Sequence, residues 1–374
     1  IVNAPAYVLS DSKGGTPNVR LGYGPDVKLD TIFHFDEKTC PMSLHHGGAD
    51  EYSPNASTMI FRQLRKRRIN AELHIYPGKG HGAFGLERGV EFLKQMGLLD
   101  PLLPEVEIMK RYDHNNDRAK YVKENIWPEG KMPYVQENQG TPYIEWHIPA
   151  NLKTKAIQII YSGGSYMGNG PDGFEVAPAR RHLNSLGMAV VTMRYRTPRP
   201  AAETGLKKHI SAWQDLQRAI RIVKSKAADY GLDPNNIGIM GSSAGGHLTL
   251  MGVTSSVQQA YLPIDELDKV PCNVQWGIGI YPAYSLTDGA EESNKMGIGG
   301  VEDNAVLVPE FNFDLKTAPM LFVHGDEDVW AAMNSVKIWE KMRAMGIQSE
   351  LHVLAKRNHC FQKTASPGTG SYTF

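Results

Sequence analysis

The sequence predicts an α/β fold: a mostly parallel, doubly wound sheet with flanking helices, present as one near-complete copy preceded by the C-terminal third of a homologous copy. Three observations carry this expectation. From residue 155 onward short apolar runs alternate with amphipathic segments, the arrangement of a parallel sheet with helices on its faces. A glycine-flanked serine turn, Gly241-Ser242-Ser243-Ala244-Gly245, joins an apolar run to a helical pattern. Residues 35–50, FDEKTCPMSLHHGGAD, return as residues 313–328, FDLKTAPMLFVHGDED, with nine of sixteen positions identical.

The elements follow in order. KAIQIIYSGG is a strand running into a glycine-rich loop, and GMAVVTMRYR is the next strand. A long helix is expected from His209 to Tyr230, where Trp213, Leu216, Ala219, Ile220 and Val223 recur at helical spacing and mark a core face. NIGIM is a strand and GGHLTLMGV the helix after the serine turn. VQWGIGIYP and APMLFVHGDED are two further strands, Met333 to Met345 a helix, and SELHVLA the last strand. Strands that are apolar throughout imply a sheet covered on both faces.

The repeat sets the domain organisation. Its offset, 313 − 35 = 278, carries Asp50 onto Asp328 and His81 onto His359, with INAELHIYPGKGH over IQSELHVLAKRNH without a gap. PAYVLSD from Pro5 matches PAYSLTD from Pro282 at an offset of 277. Residues 1–100 therefore read as the C-terminal third of a domain. Residues 101–140, with Pro101, Pro104 and the polar RYDHNNDRAK, read as a linker, and 141–374 as a domain lacking its last helix. In the first copy that helix is expected over GLERGVEFLKQMGLL, from the spacing of Val90, Phe92, Leu93, Met96 and Leu98. Ile1 corresponds to the middle of an apolar run in the second copy, so the chain is expected to be a fragment of a tandem protein. The partial first sheet is expected to expose an edge prone to association.

Composition narrows the function. The chain has 374 residues, 41% of them apolar and 21% charged, which suits folded rather than disordered structure. Forty basic residues balance forty acidic ones, leaving no net field to draw nucleic acid or an anionic membrane, so the ligand is expected to be neutral or weakly charged. The basic run from Arg62 to Arg68 has helical spacing beside Phe61, Leu64 and Ile69 and reads as a solvated helix face. Cys40, Cys272 and Cys360 match no zinc or disulfide spacing, and no run approaches the length of a membrane span.

The chemistry centres on the serine turn. A Gly-x-Ser-x-Gly sequence between a strand and a helix is a sharp elbow, in which side chains at 241 or 245 would collide with backbone. Ser243 then sits at a helix N-terminus, where developing negative charge is favoured. A serine hydroxyl needs a base, itself oriented by an acid, and the order Ser, acid, His is met by Ser243, Asp328 and His359. Asp326 is the rival acid. Asp328 is preferred because the repeat keeps Asp50 there, whereas Asp326 is matched by Gly48. His324 is read as holding the turn after its strand, His352 as lying within a strand, and His247 as part of the helix after the nucleophile. Asp50 and His81 form a partial or vestigial site in the first copy.

The backbone N–H groups of Ala244 and of Gly164 or Ser165, in the loop YSGGSYMGNG, are assigned to the oxyanion hole. This loop lacks the Lys-Ser/Thr ending of a phosphate loop, which argues against nucleotide binding. Tyr166, Tyr284, Trp330 and Phe361 neighbour these segments and are either an aromatic pocket or packing; Tyr166 and Trp330 are assigned to substrate binding. The long connection from Leu286 to Asp314 is the candidate lid.

YSGGSYMG, LQRAIRIVKSKAADYGLDPNNIGIMGSSAGGHL, HGDED and NHCF together resemble the α/β-hydrolase carbohydrate esterases, in the branch described as acetyl xylan or feruloyl esterase-like. The resemblance spans residues 143–361, and residues 1–100 resemble the family's C-terminal third. It implies an α/β-hydrolase fold and a serine carboxylesterase acting on acetyl or feruloyl esters of plant polysaccharide or oligosaccharides. It also implies a secreted or periplasmic bacterial enzyme without metal or cofactor. Two departures stand out. Ser162 replaces the His of the HGGG motif of hormone-sensitive-lipase relatives, and Cys360 follows His359 where glycine is frequent and where the first copy has Gly82. The competing readings are a prolyl-oligopeptidase-type serine peptidase and a non-catalytic carbohydrate-binding protein. No propeller-like repeat favours the former, and the full triad argues against the latter. Acyl group and oligomeric state stay open at this level.

Overall fold

The computed structural model describes residues 33–50, 52–81, 118–287 and 305–363, with isolated positions among residues 2–31 and at 88, 92 and 96. Its strands are β1 (Val2–Asn3), β2 (Leu9–Ser10), β3 (Lys28–Leu29), β4 (Met42–Gly47), β5 (Ala71–Tyr76), β6 (Arg118–Asn125), β7 (Tyr143–Pro149) and β8 (Ile157–Tyr161). They continue as β9 (Ala189–Arg194), β10 (Ile237–Ser242), β11 (Trp276–Ile280), β12 (Leu286–Thr287), β13 (Val306–Leu307), β14 (Met320–Gly325) and β15 (Glu350–Leu354). The α-helices are α1 (Asn55–Lys66), α2 (Ala177–Ser185), α3 (Ile210–Lys226), α4 (Ala244–Thr254) and α5 (Met333–Ala344).

Eleven strands form one sheet in the order β1-β4-β5-β15-β14-β11-β10-β8-β9-β7-β6, and β12 with β13 and β2 with β3 make two small antiparallel pairs. From β15 across to β9 every pairing is parallel. The apolar runs read from the sequence are these strands, and β8, β10 and most of β9 are buried along their length. The helix expected from His209 is α3, continued by a 3₁₀ turn to Tyr230. Leu216, Ala219, Ile220 and Val223 on it are fully buried. Each large aliphatic among them contributes about 1.5–3 kcal/mol, enough to anchor the helix on the sheet.

The N-terminal boundary of the larger unit lies earlier than the sequence indicates. Residues 118–125, expected within the linker, are β6, which pairs antiparallel with β7. The following residues also belong to the core: Ile126 and Trp127 are buried, and the Trp127 indole N–H donates to Asp215 at 2.6 Å. The guanidinium of Arg196 spans Asp215 and the Tyr134 carbonyl, holding 126–134 against α3. Charged Lys123 and Glu124 on an edge strand hid this pairing from an apolar-run reading. Residues 101–117 of the linker, most of the closing helix after His81, residues 288–304 of the candidate lid and residues 364–374 lie outside the described residues.

The edge expected to be exposed on the first unit is paired. β5 runs antiparallel to β15 with His74 opposite His352, two positions related by the 278 offset. Their Nδ1 atoms are 2.8 Å apart. The contacts around this point are reciprocal. Arg62 pairs with Glu340, its own repeat partner, at 2.6 Å, while Arg65 donates to the Asp326 carbonyl and Arg343 to the Gly48 carbonyl. The repeat units thus meet about a local two-fold axis, with their strands pointing in opposite directions. Among the described residues no helix is long and apolar enough to cross a membrane.

Candidate active site

The serine turn is built by close approach. Ser243 links the end of β10 to the start of α4 at φ 54°, ψ −119°, a strained conformation for a serine that costs about 1–3 kcal/mol. The Ser243 N–H donating to the Ile280 carbonyl at 2.9 Å helps to hold it. A Cβ at Gly241 would lie 2.3 Å from the Gly245 carbonyl oxygen, and one at Gly245 2.7 Å from that of Ser162, so both flanking glycines are sterically required. The turn leaves Ser243 at the α4 N-terminus, its Oγ beside His359.

His359 Nε2 lies 2.9 Å from Ser243 Oγ. On the other side of the ring, Nδ1 lies 2.9 and 2.8 Å from the two Asp328 carboxylate oxygens. Asp328 is fully buried and also accepts the Trp330 N–H at 2.8 Å. Burial pushes its carboxyl up, but hydrogen bonds from His324 and His359 outweigh this and hold it at about 2. Asp328 is therefore a carboxylate at neutral pH, oriented to keep Nδ1 protonated and Nε2 free to accept a proton.

The rival acid is elsewhere. Asp326 turns toward the first repeat unit, where the Ala71 N–H donates to Oδ2 at 3.3 Å. Burial pushes it up to about 7, only partly offset by Arg65 and that N–H. His324 spans Ser335 Oγ at 2.9 Å and the Trp330 carbonyl at 2.8 Å, clamping the Asp328 loop. His352 lies in β15 and His247 in α4, as read from the sequence.

The oxyanion candidates lie where backbone is unusual. Gly164, Ser165 and Tyr166 have φ of 95°, 55° and 60° in succession. A Cβ at Gly163 would sit 2.7 Å from Ser243 Cβ, so this loop lies directly against Ser243. The Gly163 N–H is taken by Glu175 at 2.7 Å. Among the described residues the Gly164 and Ser165 N–H groups have no hydrogen-bond partner, and Ala244 opens α4 with an N–H free by position.

Tyr166 departs from its assignment to substrate binding. It is fully buried, stacked beside Tyr284, with its hydroxyl 2.8 Å from His247 Nδ1. It supports the loop from beneath. Phe361 is likewise buried, against Tyr281. Trp330 is half-buried, its ring 5.1 Å from Tyr284 and 6.3 Å from His359, and forms a wall beside the His359 ring.

Three supporting residues escaped the sequence reading. Tyr195 hydroxyl donates to the carbonyls of Ser162 and Gly163 at 2.9 and 2.8 Å. Tyr281 stacks edge-on against His359 and donates to Glu175 at 3.0 Å. Through Tyr281, Glu175 thereby links the Gly163–Tyr166 loop to the His359 ring. These contacts join positions far apart in sequence, and no local spacing announces them.

The first repeat unit holds Asp50 and His81 together, with His81 Nδ1 3.2 Å from Asp50 Oδ2. Among the described residues no hydroxyl is hydrogen-bonded to the other nitrogen of His81. Away from the triad, the donor atoms of His209, His247 and Glu310 lie within 4.8 Å of one another.

Comparison with known proteins agrees with this architecture. A family model described as BD-FAE matches residues 144–342, more than half of the chain. An acetylxylan esterase of Xylanibacter ruminicola is 26% identical over 236 residues, 60% of this chain and 44% of that protein. An acetyl ester-xyloside bifunctional hydrolase from Caldicellulosiruptor lactoaceticus superposes with a TM-score of 0.53 at 26% identity, covering 67% of this chain and 91% of that one. A truncated carbohydrate esterase from gut microbiota shares the fold, with a TM-score of 0.51 at 20% identity over 68% of this chain and 94% of that one. The chain spans less than half the length of the curated relatives it matches. With its sheet, its serine elbow and a family model over more than half its length, the chain belongs to the BD-FAE family of α/β hydrolases.

Proposed function

We propose that the protein hydrolyses carboxylic esters through a covalent acyl-serine, acting on acetyl or feruloyl groups of plant polysaccharide or its oligosaccharides. The observation that carries this reading is the continuous line from Ser243 Oγ through the His359 ring to Asp328. Ser243 Oγ attacks the ester carbonyl as its proton passes to His359 Nε2, and Asp328 stabilises the imidazolium. The Ala244 N–H and that of Gly164 or Ser165 receive the oxyanion, each such donor supplying about 10²–10³-fold in rate. Collapse expels the alcohol, which takes the proton from His359. Water then attacks the acyl carbon, gives its proton to the same nitrogen and releases Ser243.

The substrate class rests on the names of the relatives, an acetylxylan esterase and an acetyl ester-xyloside hydrolase, and on the neutral charge balance of the chain. Trp330 and Tyr284 supply an aromatic wall suited to a sugar or phenolic ring. The test is hydrolysis of p-nitrophenyl acetate, methyl ferulate and acetylated xylan by the chain and by Ser243→Ala. Turnover in the chain and none above background in the variant is expected. Retained turnover in Ser243→Ala would overturn the nucleophile. A folded chain inactive on all three esters but cleaving peptides would move it to the peptidases.

A further inference from the structure

Three side chains that ester hydrolysis does not use converge behind the serine helix. His209 immediately precedes α3, His247 lies one turn into α4, and Glu310 stands between β13 and β14. His247 Nε2 is 3.7 Å and His209 Nδ1 3.9 Å from the same oxygen, Glu310 Oε1. The ligating atoms of all three lie within 4.8 Å of one another.

Both rings are buried, at 3% and 1% exposure, and neither His209 Nδ1 nor His247 Nε2 has a hydrogen-bond partner among the described residues. A buried polar atom left without a partner costs about 1–3 kcal/mol. Two such nitrogens facing one carboxylate, at separations too long for direct hydrogen bonds, define a point that a further atom would satisfy. Ligands on a tetrahedral ion at about 2.0–2.1 Å stand roughly 3.4 Å apart, so the cluster needs to contract only modestly.

The chemistry of the donors separates an ion from a water. His209 and His247 each turn one ring nitrogen toward the same Glu310 oxygen. Two imidazoles and a carboxylate are the donor set of a borderline metal. His247 Nδ1 is 2.8 Å from the Tyr166 hydroxyl, and an N–H donated there leaves Nε2 as a lone pair aimed at the point. Such an outer partner is what metal-bound imidazoles carry. Lys208, next to His209 in the chain, carries a charge that opposes a cation here.

We propose that His209, His247 and Glu310 bind one divalent metal ion of the zinc class, with a fourth position facing a cleft of about 400 Å³ bordered by Trp213, Met251 and Pro309. The ion joins the segment carrying Glu310 to the serine helix. Through His247 it fixes Tyr166 and the oxyanion loop above it, making this a structural and positioning site.

The test is calorimetric titration of the chelator-treated chain with zinc chloride, with cobalt(II) absorption reporting geometry. One equivalent bound with a tetrahedral cobalt spectrum and a raised Tm is expected. Glu310→Gln, nearly isosteric, should weaken binding more than about 100-fold, beyond the 10–100-fold range of an outer partner such as Tyr166→Phe. His81→Ala, an exposed histidine, should leave it unchanged. No stoichiometric uptake by the chain assigns the point to water and overturns the proposal, as does uptake that Glu310→Gln leaves intact. Metal binding is read without ester turnover, so failure here is distinct from failure of the esterase reading.

Discussion

The two repeat units, residues 42–81 and 320–359, build the same acid–base pair from the same parts but leave it in different surroundings. In each, a strand ends at an aspartate loop, a helix returns, and a second strand ends at a histidine. The Tyr52 N–H donates to Asp50 at 2.9 Å as the Trp330 N–H does to Asp328 at 2.8 Å. His46 spans Ser57 and the Tyr52 carbonyl as His324 spans Ser335 and that of Trp330. The difference lies at the far nitrogen. His359 is 18% exposed and meets Ser243, whereas His81 is 47% exposed and its one Asp50 contact is longer. An aspartate–histidine pair is thus a local product of one strand–helix–strand unit. The proposed catalysis also requires the serine elbow, which comes from a distant stretch of chain.

The largest expected effect separates the units by activity. His359→Ala should lower kcat on p-nitrophenyl acetate about 10⁴-fold, since it removes the base, and Asp328→Asn should act similarly through the tautomer. His81→Ala and Asp50→Asn should leave kcat unchanged in the same assay. A comparable loss in His81→Ala would break the comparison and put a second working site in the first unit.

A smaller effect concerns Asp326, which stands where the first unit has Gly48. Its pKa is raised from the usual carboxylate range, near 4, to about 7, chiefly by burial. A raised pKa means that the native state holds the proton more tightly than the unfolded chain. The associated stability is full below pH 4 and is lost as pH rises through 7. Asp326→Asn, which cannot ionise, should therefore gain stability relative to the parent as pH goes from 5 to 8, by on the order of 3 kcal/mol at most, read as a growing Tm difference. A Tm difference independent of pH would show that Asp326 does not change its protonation between pH 5 and 8 and would overturn the raised pKa near 7.

What was legible in the sequence follows the range of the interactions. The buried strands β8, β9, β10, β11, β14 and β15 are apolar runs, and the elbow is written in adjacent residues. Asp328 was separated from Asp326 by the repeat, and the structure puts Asp328 against His359. The pairing of β6 with β7 was not legible because a solvent-facing edge strand carries charge rather than an apolar run. Glu175 meets Tyr281 across 106 positions, and the ligands His209, His247 and Glu310 come from three elements. Whether Tyr166 lines a pocket or supports a loop depends on what packs beneath it, and that depends on the fold as a whole. The repeat announced equivalent elements, but not that β5 and β15 would pair with each other.

That pairing offers the finest comparison, because the two arginines that brace it occupy equivalent positions in unequal surroundings. Arg65 is buried and donates to the Asp326 carbonyl, while Arg343 is half-buried and donates to the Gly48 carbonyl. A charged hydrogen bond is worth about 1.5–3 kcal/mol, and more of that survives where water competes less. Arg65→Ala should therefore lower the urea midpoint by the equivalent of about 2 kcal/mol, and Arg343→Ala by less. The Arg62–Glu340 pair beside them is a quarter exposed, and breaking it should cost under about 1 kcal/mol. Equal shifts for Arg65→Ala and Arg343→Ala would mean that the local two-fold equalises the two contacts despite their burial. No shift in either would mean that the β5–β15 hydrogen bonds hold the units together without the arginines.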